Sequence, residues 1–217
     1  IRITPNGIDV DRLANLPGKS EEEKKWIYAG AVLRVTPIKD VKTMIQSFAF
    51  AKQKVPELKL WIMGPTDEDE KYARECFELV DMLGVKDVEF TGRVDVRDYL
   101  RTMDFTLLTS ISEGQPLTIL ESYAAHCPVI ATDVGNCREL IYGPTDSFGS
   151  AGILTHIMNL EEIAQAMIDL AQNKKMREGA LFTYFLKDTE NPLPSISFLS
   201  VIFFFMKIYR NGKFYFY

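Results

Sequence analysis

Short apolar runs alternate along this chain with segments in which apolar residues recur every three or four positions. The runs predict buried strands at residues 26–32, 58–63, 88–91, 105–108, 129–132 and 151–154. The periodic segments predict helices at residues 41–54, 70–83, 96–103, 117–125, 137–142 and 160–173. Strands that alternate with helices in this way favour an α/β fold, a doubly wound, mostly parallel sheet with helices on both faces.

The polar loop after the fourth predicted strand is the stretch best suited to chemistry. It runs from Ser110 to Pro116 and leads directly into a predicted helix. Pro116 fits the first helical position, where its missing N–H costs nothing, so the N–H groups of Leu117 and Thr118 are expected to point toward the loop. A helix start of this kind favours the binding of an anion such as phosphate.

Two carboxylates flank this helix start. Glu113 and Glu121 are eight residues apart, which corresponds to roughly 12 Å along a helix, too far for them to share a proton. Helical spacing places Glu121 with Leu117 on the apolar stripe, where a carboxylate is rarely buried without a partner. A ligand with a central diphosphate and hydroxyls at both ends, such as a nucleotide sugar, suits this pattern. The alternative is that Glu113 is a solvated loop acid and Glu121 lies at the edge of the stripe.

Arg34 and Lys39 follow the first predicted strand. The carboxyl ends of parallel strands are where ligands bind in open α/β sheets, so these cations are candidates for contacts with phosphate. Taken alone, the pair is better explained as ordinary exposed cations. Gly135, in the turn after the fifth strand, either lets the backbone approach a ligand or simply closes the turn.

Composition narrows the class of protein. The chain has 217 residues, of which 47% are hydrophobic, enough for one large domain or two small ones. Its net charge of −5, without a basic run, argues against nucleic acid as a partner. Cys76, Cys127 and Cys137 show no C-x-x-C spacing, which argues against a disulfide framework or zinc site and favours a reducing, cytoplasmic location.

Several motifs in order resemble a known family. The spacing of Glu113 and Glu121 is similar to the E-x7-E motif of retaining glycosyltransferases of the large family 4 type, which have the two-domain B-type fold (GT-B). The amino-acid sequences of residues 35–43, 64–69, 90–97 and 109–113 most resemble the PelF branch of this family, which is associated with bacterial exopolysaccharide synthesis. The resemblance extends over residues 3–180.

The resemblance implies a Rossmann-like half of a GT-B enzyme that binds the donor. The reaction would be hexosyl transfer, with retention, from a nucleoside diphosphate sugar, a UDP-sugar by analogy, to a polysaccharide acceptor. Arg34 and Lys39 would offset charge on the leaving diphosphate, which is electrostatic catalysis. Glu113 would orient the sugar and Glu121 would bind the ribose. No cofactor and no bound metal are expected.

The remaining site assignments also follow from the resemblance. Groups around Arg93 and Val94 would bind the edge of the base, and the turn at Gly135 would line the donor site. The loop and helix start would hold phosphate or sugar through Gly114, Gln115, Pro116, Leu117 and Thr118.

Asp67 and Asp69 resemble the D-x-D motif of metal-dependent glycosyltransferases with the other, A-type fold. Acids in the first turn of a helix are expected from the helix dipole alone. We therefore interpret this pair as structural.

The domain expectation has three parts. Residues 1–20 are interpreted as the crossover from an N-terminal domain that this chain lacks, and residues 21–180 as the nucleotide-sugar-binding domain. Residues 181–217 are rich in aromatic residues and depart from the family. A mis-joined end of the gene is the first interpretation of this tail, and a peripheral membrane contact is the second.

Two other functional classes stay open. The chain by itself fits a nucleotide-sugar-binding module without turnover, because the resembled family reacts in a cleft between two domains. A flavodoxin-like regulatory domain is disfavoured, since the acid-rich first loop expected of a receiver is replaced by Arg34 and Lys39.

Overall fold

The computed structural model describes residues 8, 11–14, 16–142, 150–178, 209–210 and 213–214. The strands of the main sheet are β1 Ile27–Val32, β2 Leu58–Met63, β3 Val88–Gly92, β4 Phe105–Leu108, β5 Val129–Thr132 and β6 Gly152–Thr155. The helices are α1 Asp11–Ala14, α2 Val41–Lys54, α3 Glu70–Leu83, α4 Val96–Leu100, α5 Leu117–Ala124, α6 Cys137–Tyr142 and α7 Leu160–Gln172. Short 3-10 helices occupy Glu23–Lys25 and Pro37–Lys39.

The six strands form one parallel sheet in the order β3-β2-β1-β4-β5-β6. Helices α2, α3 and α7 bury their apolar residues on one face. Helices α1, α4, α5 and α6 contribute to the two apolar clusters on the other face. The predicted doubly wound sheet is therefore confirmed. The strand order reverses between β1 and β4, and such a switch point opens a crevice at the carboxyl ends of the two strands.

The predicted helices and strands match closely, with small differences at their ends. Helix α4 ends at Leu100 instead of residue 103, because the Met103 amide donates to the Leu100 carbonyl in a tighter turn. Strand β6 begins one residue later than predicted. Pro116 is the N-cap of α5 in an extended conformation and lies just outside the helix, so its predicted position was one residue off.

The predicted apolar stripe of α5 was wrong in one respect. Leu117 is 41% exposed, whereas Ser122, which is polar, is buried. The Ser122 hydroxyl donates to the Thr118 carbonyl at 2.6 Å, and the Thr106 hydroxyl donates to Ser122 at 2.8 Å. Because these bonds satisfy the serine, the buried face of the helix includes it and leaves Leu117 outside.

Two predicted segments fall partly outside the described residues. Of the expected crossover at 1–20, the structure describes residues 8, 11–14 and 16–20. Of the aromatic tail at 181–217, it describes only an antiparallel pair of strands, β7 Tyr209–Arg210 and β8 Lys213–Phe214. No helix among the described residues is long and apolar enough to span a bilayer.

Candidate functional site

The loops that follow β1 and β4 meet at the switch point of the sheet. The Ile111 amide donates to the Ile38 carbonyl at 2.9 Å, and the Thr109 hydroxyl donates to the Lys39 carbonyl at 2.9 Å. Thr109 is buried, so this second bond is protected from water. The two loops that carry half of the predicted site residues are thus fixed to each other.

Lys39 and Glu113 form an ion pair at this junction. The Lys39 ammonium donates to Oε1 of Glu113, and the two side chains are only 16% and 13% exposed. The Ser110 hydroxyl donates to the same carboxylate oxygen at 2.6 Å. The structure therefore brings together Lys39, which is predicted to bind phosphate, and Glu113, which is predicted to bind the sugar. We call this group the Lys39–Ser110–Glu113 cluster.

The backbone beside Lys39 is strained. Asp40 has φ 47° and ψ 50°, a left-handed conformation that costs a non-glycine residue free energy. It ends the 3-10 helix that carries Lys39 and precedes α2. One Asp40 carboxylate oxygen is buried and has no hydrogen-bond partner among the described residues. Such strain, together with an unsatisfied buried oxygen, is typical of functional sites.

The two predicted arginines lie at the rim and are paired with acids. Arg34 contacts Glu68 at 3.0 Å, and Arg93 contacts Asp67 at 3.0 Å. Both arginines are more than half exposed, so these pairs are weak and can be exchanged for a ligand. Both acids come from the loop between β2 and α3.

The interpretation of Asp69 as structural is confirmed. Its carboxylate accepts from the Tyr72 amide at 3.0 Å and caps α3. The Asp67 carboxylate instead accepts a hydrogen bond from the Arg93 guanidinium. Among the residues that the structure describes, no group of three or more His, Cys, Asp or Glu could hold a metal ion.

The start of α5 is open on the side of the loop. Within the described residues no side chain caps it, and there is open space where a side chain at Gly114 would lie. The Thr118 hydroxyl is buried and has no hydrogen-bond partner within the described part of the chain. An uncapped helix start is suited to an anion.

Glu121 lies one to two turns further along α5 and is half-buried. Burial raises the pKa of its carboxyl, with no compensating charge nearby. Within residues 16–142 and 150–178, this carboxylate has no hydrogen-bond or ion-pair partner. A half-buried carboxylate without a partner marks a candidate ligand contact.

Gly135 places the turn after β5 against the Glu113 loop. The residue has φ 52°, and a Cβ there would lie 2.6 Å from the Gly114 carbonyl oxygen and closer still to that of Glu113. The next amide, that of Asn136, donates to the Gly114 carbonyl at 2.9 Å. The glycine thus serves the packing of the two loops, and the approach to a ligand expected from the sequence stays a prediction. Val94, at the other end of the site, is half-buried against the sheet.

Sequence reasoning missed three contributors to this site. Ser110 and Thr132 are fully buried hydroxyls at the ends of β4 and β5, and Glu68 is the partner of Arg34. Ser110 lies three residues before Glu113 in the same polar loop, and this spacing is the sequence signal that could have identified it. Nothing in the local pattern signals that Thr132 or Glu68 belongs to the site, because both reach it across the fold.

The three cysteines are free and buried. Burial raises the pKa of Cys127 to about 12 and those of Cys76 and Cys137 to about 11. Thiols with such pKa values carry little thiolate at neutral pH, so none is a candidate nucleophile.

The fold and the switch-point cluster define a Rossmann-like α/β domain of the kind found in GT-B glycosyltransferases. Crystal structures share this fold: the C-terminal domain of the group 1 glycosyl transferase LpcC from Francisella tularensis matches with TM-score 0.70 and 23% identity, over 85% of this chain and 98% of that one. HepE of Anabaena, in complex with UDP and glucose, matches with TM-score 0.69 and 19% identity, over 93% of this chain and 55% of that one.

The chain belongs to the glycosyl transferases group 1 family, whose pattern matches residues 23–173. One relative is the poly(glycerol-phosphate) alpha-glucosyltransferase of Bacillus subtilis (strain 168). It is 26% identical over 186 residues, which cover 81% of this chain and 25% of the relative. This chain spans less than half the length of the curated relatives that it matches over most of its residues.

Proposed function

We propose that this chain is the donor-binding half of a retaining glycosyltransferase, which transfers a hexosyl group from a UDP-sugar to a polysaccharide acceptor. The observation that carries the proposal is the Lys39–Ser110–Glu113 cluster, located at the switch point beside the uncapped start of α5. A cation, the amides of an uncapped helix start and carboxylates at one switch point suit a diphosphate that links a sugar to a ribose.

The Lys39 ammonium and the α5 amides are assigned to the diphosphate. Lys39 would exchange Glu113 for phosphate when the donor binds, and Arg34 would likewise exchange Glu68. Positive groups already in place stabilise the negative charge that develops on the leaving diphosphate, which lowers the barrier to transfer. Glu113, released from Lys39, would accept hydrogen bonds from sugar hydroxyls.

The nucleotide half of the donor is assigned to the other end of α5 and to β3. Glu121 has no hydrogen-bond or ion-pair partner within the described part of the chain, and its carboxylate is suited to the two ribose hydroxyls. Arg93 and Val94 follow β3, where their backbone groups can bind the base edge. Gly135 keeps the turn after β5 close to the sugar end of the site.

The choice of UDP and of retention rests on similarity. HepE was crystallised with UDP and glucose, and the B. subtilis relative is named an alpha-glucosyltransferase. An alpha product from an alpha-linked donor corresponds to retention. The same relative's name contains a polymer, poly(glycerol-phosphate), which supports a polymeric acceptor. The resemblance of residues 35–43 and 90–97 to the PelF branch supports exopolysaccharide as that acceptor. The buried thiols suit a cytoplasmic location.

Titration calorimetry with UDP, ADP and GDP tests the proposal. Wild type is expected to prefer UDP, and Glu121→Ala is expected to weaken UDP binding by roughly 1.5–3 kcal/mol, the contribution of hydrogen bonds to a charged group. Glu78→Ala, which removes an exposed glutamate from the middle of α3, is the matched control and should bind UDP like wild type. Unchanged UDP affinity in Glu121→Ala would count against the assignment.

A binding module without turnover is the second candidate. It is favoured by the length of the chain, which covers only 25% of the B. subtilis relative. Transfer assays on this chain and on the complete gene product that contains it, with the same UDP-sugar, separate the two candidates. Turnover by the complete gene product supports the enzyme, whereas donor binding without turnover supports the module.

A further inference from the structure

Buried hydroxyl groups at the carboxyl ends of two strands hold the loops of the candidate site in place. Thr109, Ser110 and Thr132 are at most 1% exposed and lie at the carboxyl ends of β4 and β5. The Thr132 hydroxyl donates to the Ser110 carbonyl at 2.6 Å, which fixes the Ser110 backbone to β5. The Ser110 hydroxyl in turn donates to Glu113. A side chain so completely buried cannot touch the donor, so Ser110 can act on a ligand only through Glu113.

The two oxygens of the Glu113 carboxylate are used differently. Oε1 accepts from both the Lys39 ammonium and the Ser110 hydroxyl. Oε2 has no hydrogen-bond partner among the described residues. The contacts on Oε1 therefore set the direction in which Oε2 faces.

The contact with Lys39 is the one that a donor would remove. A diphosphate competes with Glu113 for the Lys39 ammonium, because both are anions and Lys39 carries a single mobile charge. Once Lys39 turns to phosphate, the Ser110 hydroxyl is the remaining hydrogen-bond partner of the carboxylate among the described residues. Its hydroxyl is neutral and buried, so the diphosphate does not compete for it.

We propose that Ser110 is a positioning residue that keeps Glu113 directed at the donor sugar after Lys39 has moved to the diphosphate. The inference rests on the proposed function, in which Glu113 contacts the sugar. It assigns Ser110 to recognition of the sugar and not of the nucleotide. Ser110 therefore determines how much more tightly a UDP-sugar binds than UDP itself.

The test compares Ser110→Ala with Ser112→Ala, a matched control two residues along the same loop whose side chain is exposed. Affinities for UDP, UDP-glucose and UDP-N-acetylglucosamine are measured by calorimetry. In Ser110→Ala, UDP should bind within about twofold of wild type, whereas the better sugar donor should lose roughly tenfold, the loss of one hydrogen bond to a charged group. Ser112→Ala should resemble wild type for all three ligands.

A double-mutant cycle excludes a merely structural role. In the Glu113→Gln background, Ser110→Ala should change sugar-donor affinity by less than about twofold, because the group it positions has already lost its charge. An equal loss of UDP and UDP-sugar affinity in Ser110→Ala, or losses that add fully in the double variant, would overturn the proposal. So would a wild type that binds neither sugar donor more tightly than UDP.

Two further measurements cover the remaining outcomes. If Ser110→Ala does not fold, Ser110→Cys replaces the hydroxyl with a somewhat larger and weaker donor, and it should lose sugar-donor affinity while retaining UDP affinity. If wild type binds no uridine nucleotide, the proposed function fails. The same double-mutant cycle on urea unfolding then tests Ser110 separately: non-additive losses support its hold on Glu113, and additive losses overturn it.

Discussion

Gly135 packs directly against the carbonyl groups of Glu113 and Gly114, so that no side chain fits between the two loops. The Asn136 amide seals the contact by donating to the Gly114 carbonyl at 2.9 Å. The position of Glu113, the candidate residue for binding the sugar, thus depends on a glycine that comes 22 residues later in the sequence.

Gly135→Ala is expected to reduce both stability and sugar-donor binding. The variant has the left-handed strain of φ 52° and a collision with backbone atoms, which cannot move aside as a flexible side chain can. Gly84→Ala is the matched control, because Gly84 has φ 58° but open space around it. Urea unfolding should show a cost of about 1 kcal/mol for Gly84→Ala and a clearly larger one for Gly135→Ala. Equal costs would contradict the role of close packing.

Glu68→Gln is expected to raise the affinity for UDP. The change releases Arg34 from its acidic partner and leaves the guanidinium for phosphate. Since exposed ion pairs are worth at most about 1 kcal/mol, the gain should not exceed about fivefold, and it should shrink in high salt. Glu70→Gln removes an exposed charge from the first turn of α3 and serves as control. Calorimetry measures the UDP affinity of both variants at two salt concentrations. Equal gains in UDP affinity for Glu68→Gln and Glu70→Gln would mean that Arg34 is not involved.

Glu121 is expected to make stability fall as pH rises. Its folded-state pKa is raised by burial, so between the ordinary carboxyl pKa and the raised value the folded chain binds more protons than the unfolded one. In that window the free energy of unfolding decreases with increasing pH. Glu121→Gln removes this contribution. Urea unfolding of both proteins, from about pH 4 to about pH 7, should show wild type losing stability relative to the variant; parallel curves would exclude the effect.

Asp104→Ala is expected to destabilise the domain without a specific effect on the site. The Asp104 carboxylate accepts from the Lys19 ammonium and from the Tyr28 amide, the latter at 2.8 Å, and it is 14% exposed. Removal leaves a mostly buried ammonium without its partner, at a cost of about 3 kcal/mol. Asp98→Ala, at an exposed position of α4, is the control and should stay within about 0.5 kcal/mol of wild type. Thermal unfolding measures both; similar melting temperatures would refute the importance of the pair.

Much of the secondary structure could be predicted because it depends on neighbours in the chain. Helix α2 was predicted at residues 41–54 from the spacing of Met44, Ile45 and Phe48, and the structure gives the same bounds. The buried face of α5 could not be predicted in the same way. Besides its bond to the Thr118 carbonyl within the helix, buried Ser122 accepts a hydrogen bond from Thr106 on a neighbouring strand, which the local pattern does not show.

The sequence by itself determined the alternation of strands and helices, the uncapped start of α5 and the spacing of Glu113 and Glu121. Only the tertiary structure decided that Lys39 would contact Glu113 across 74 residues and that the buried Ser110 hydroxyl would hold the same carboxylate oxygen. The physical reason is range. Periodicity and capping act within a few residues, whereas a site at a switch point exists only once β1 and β4 have paired side by side.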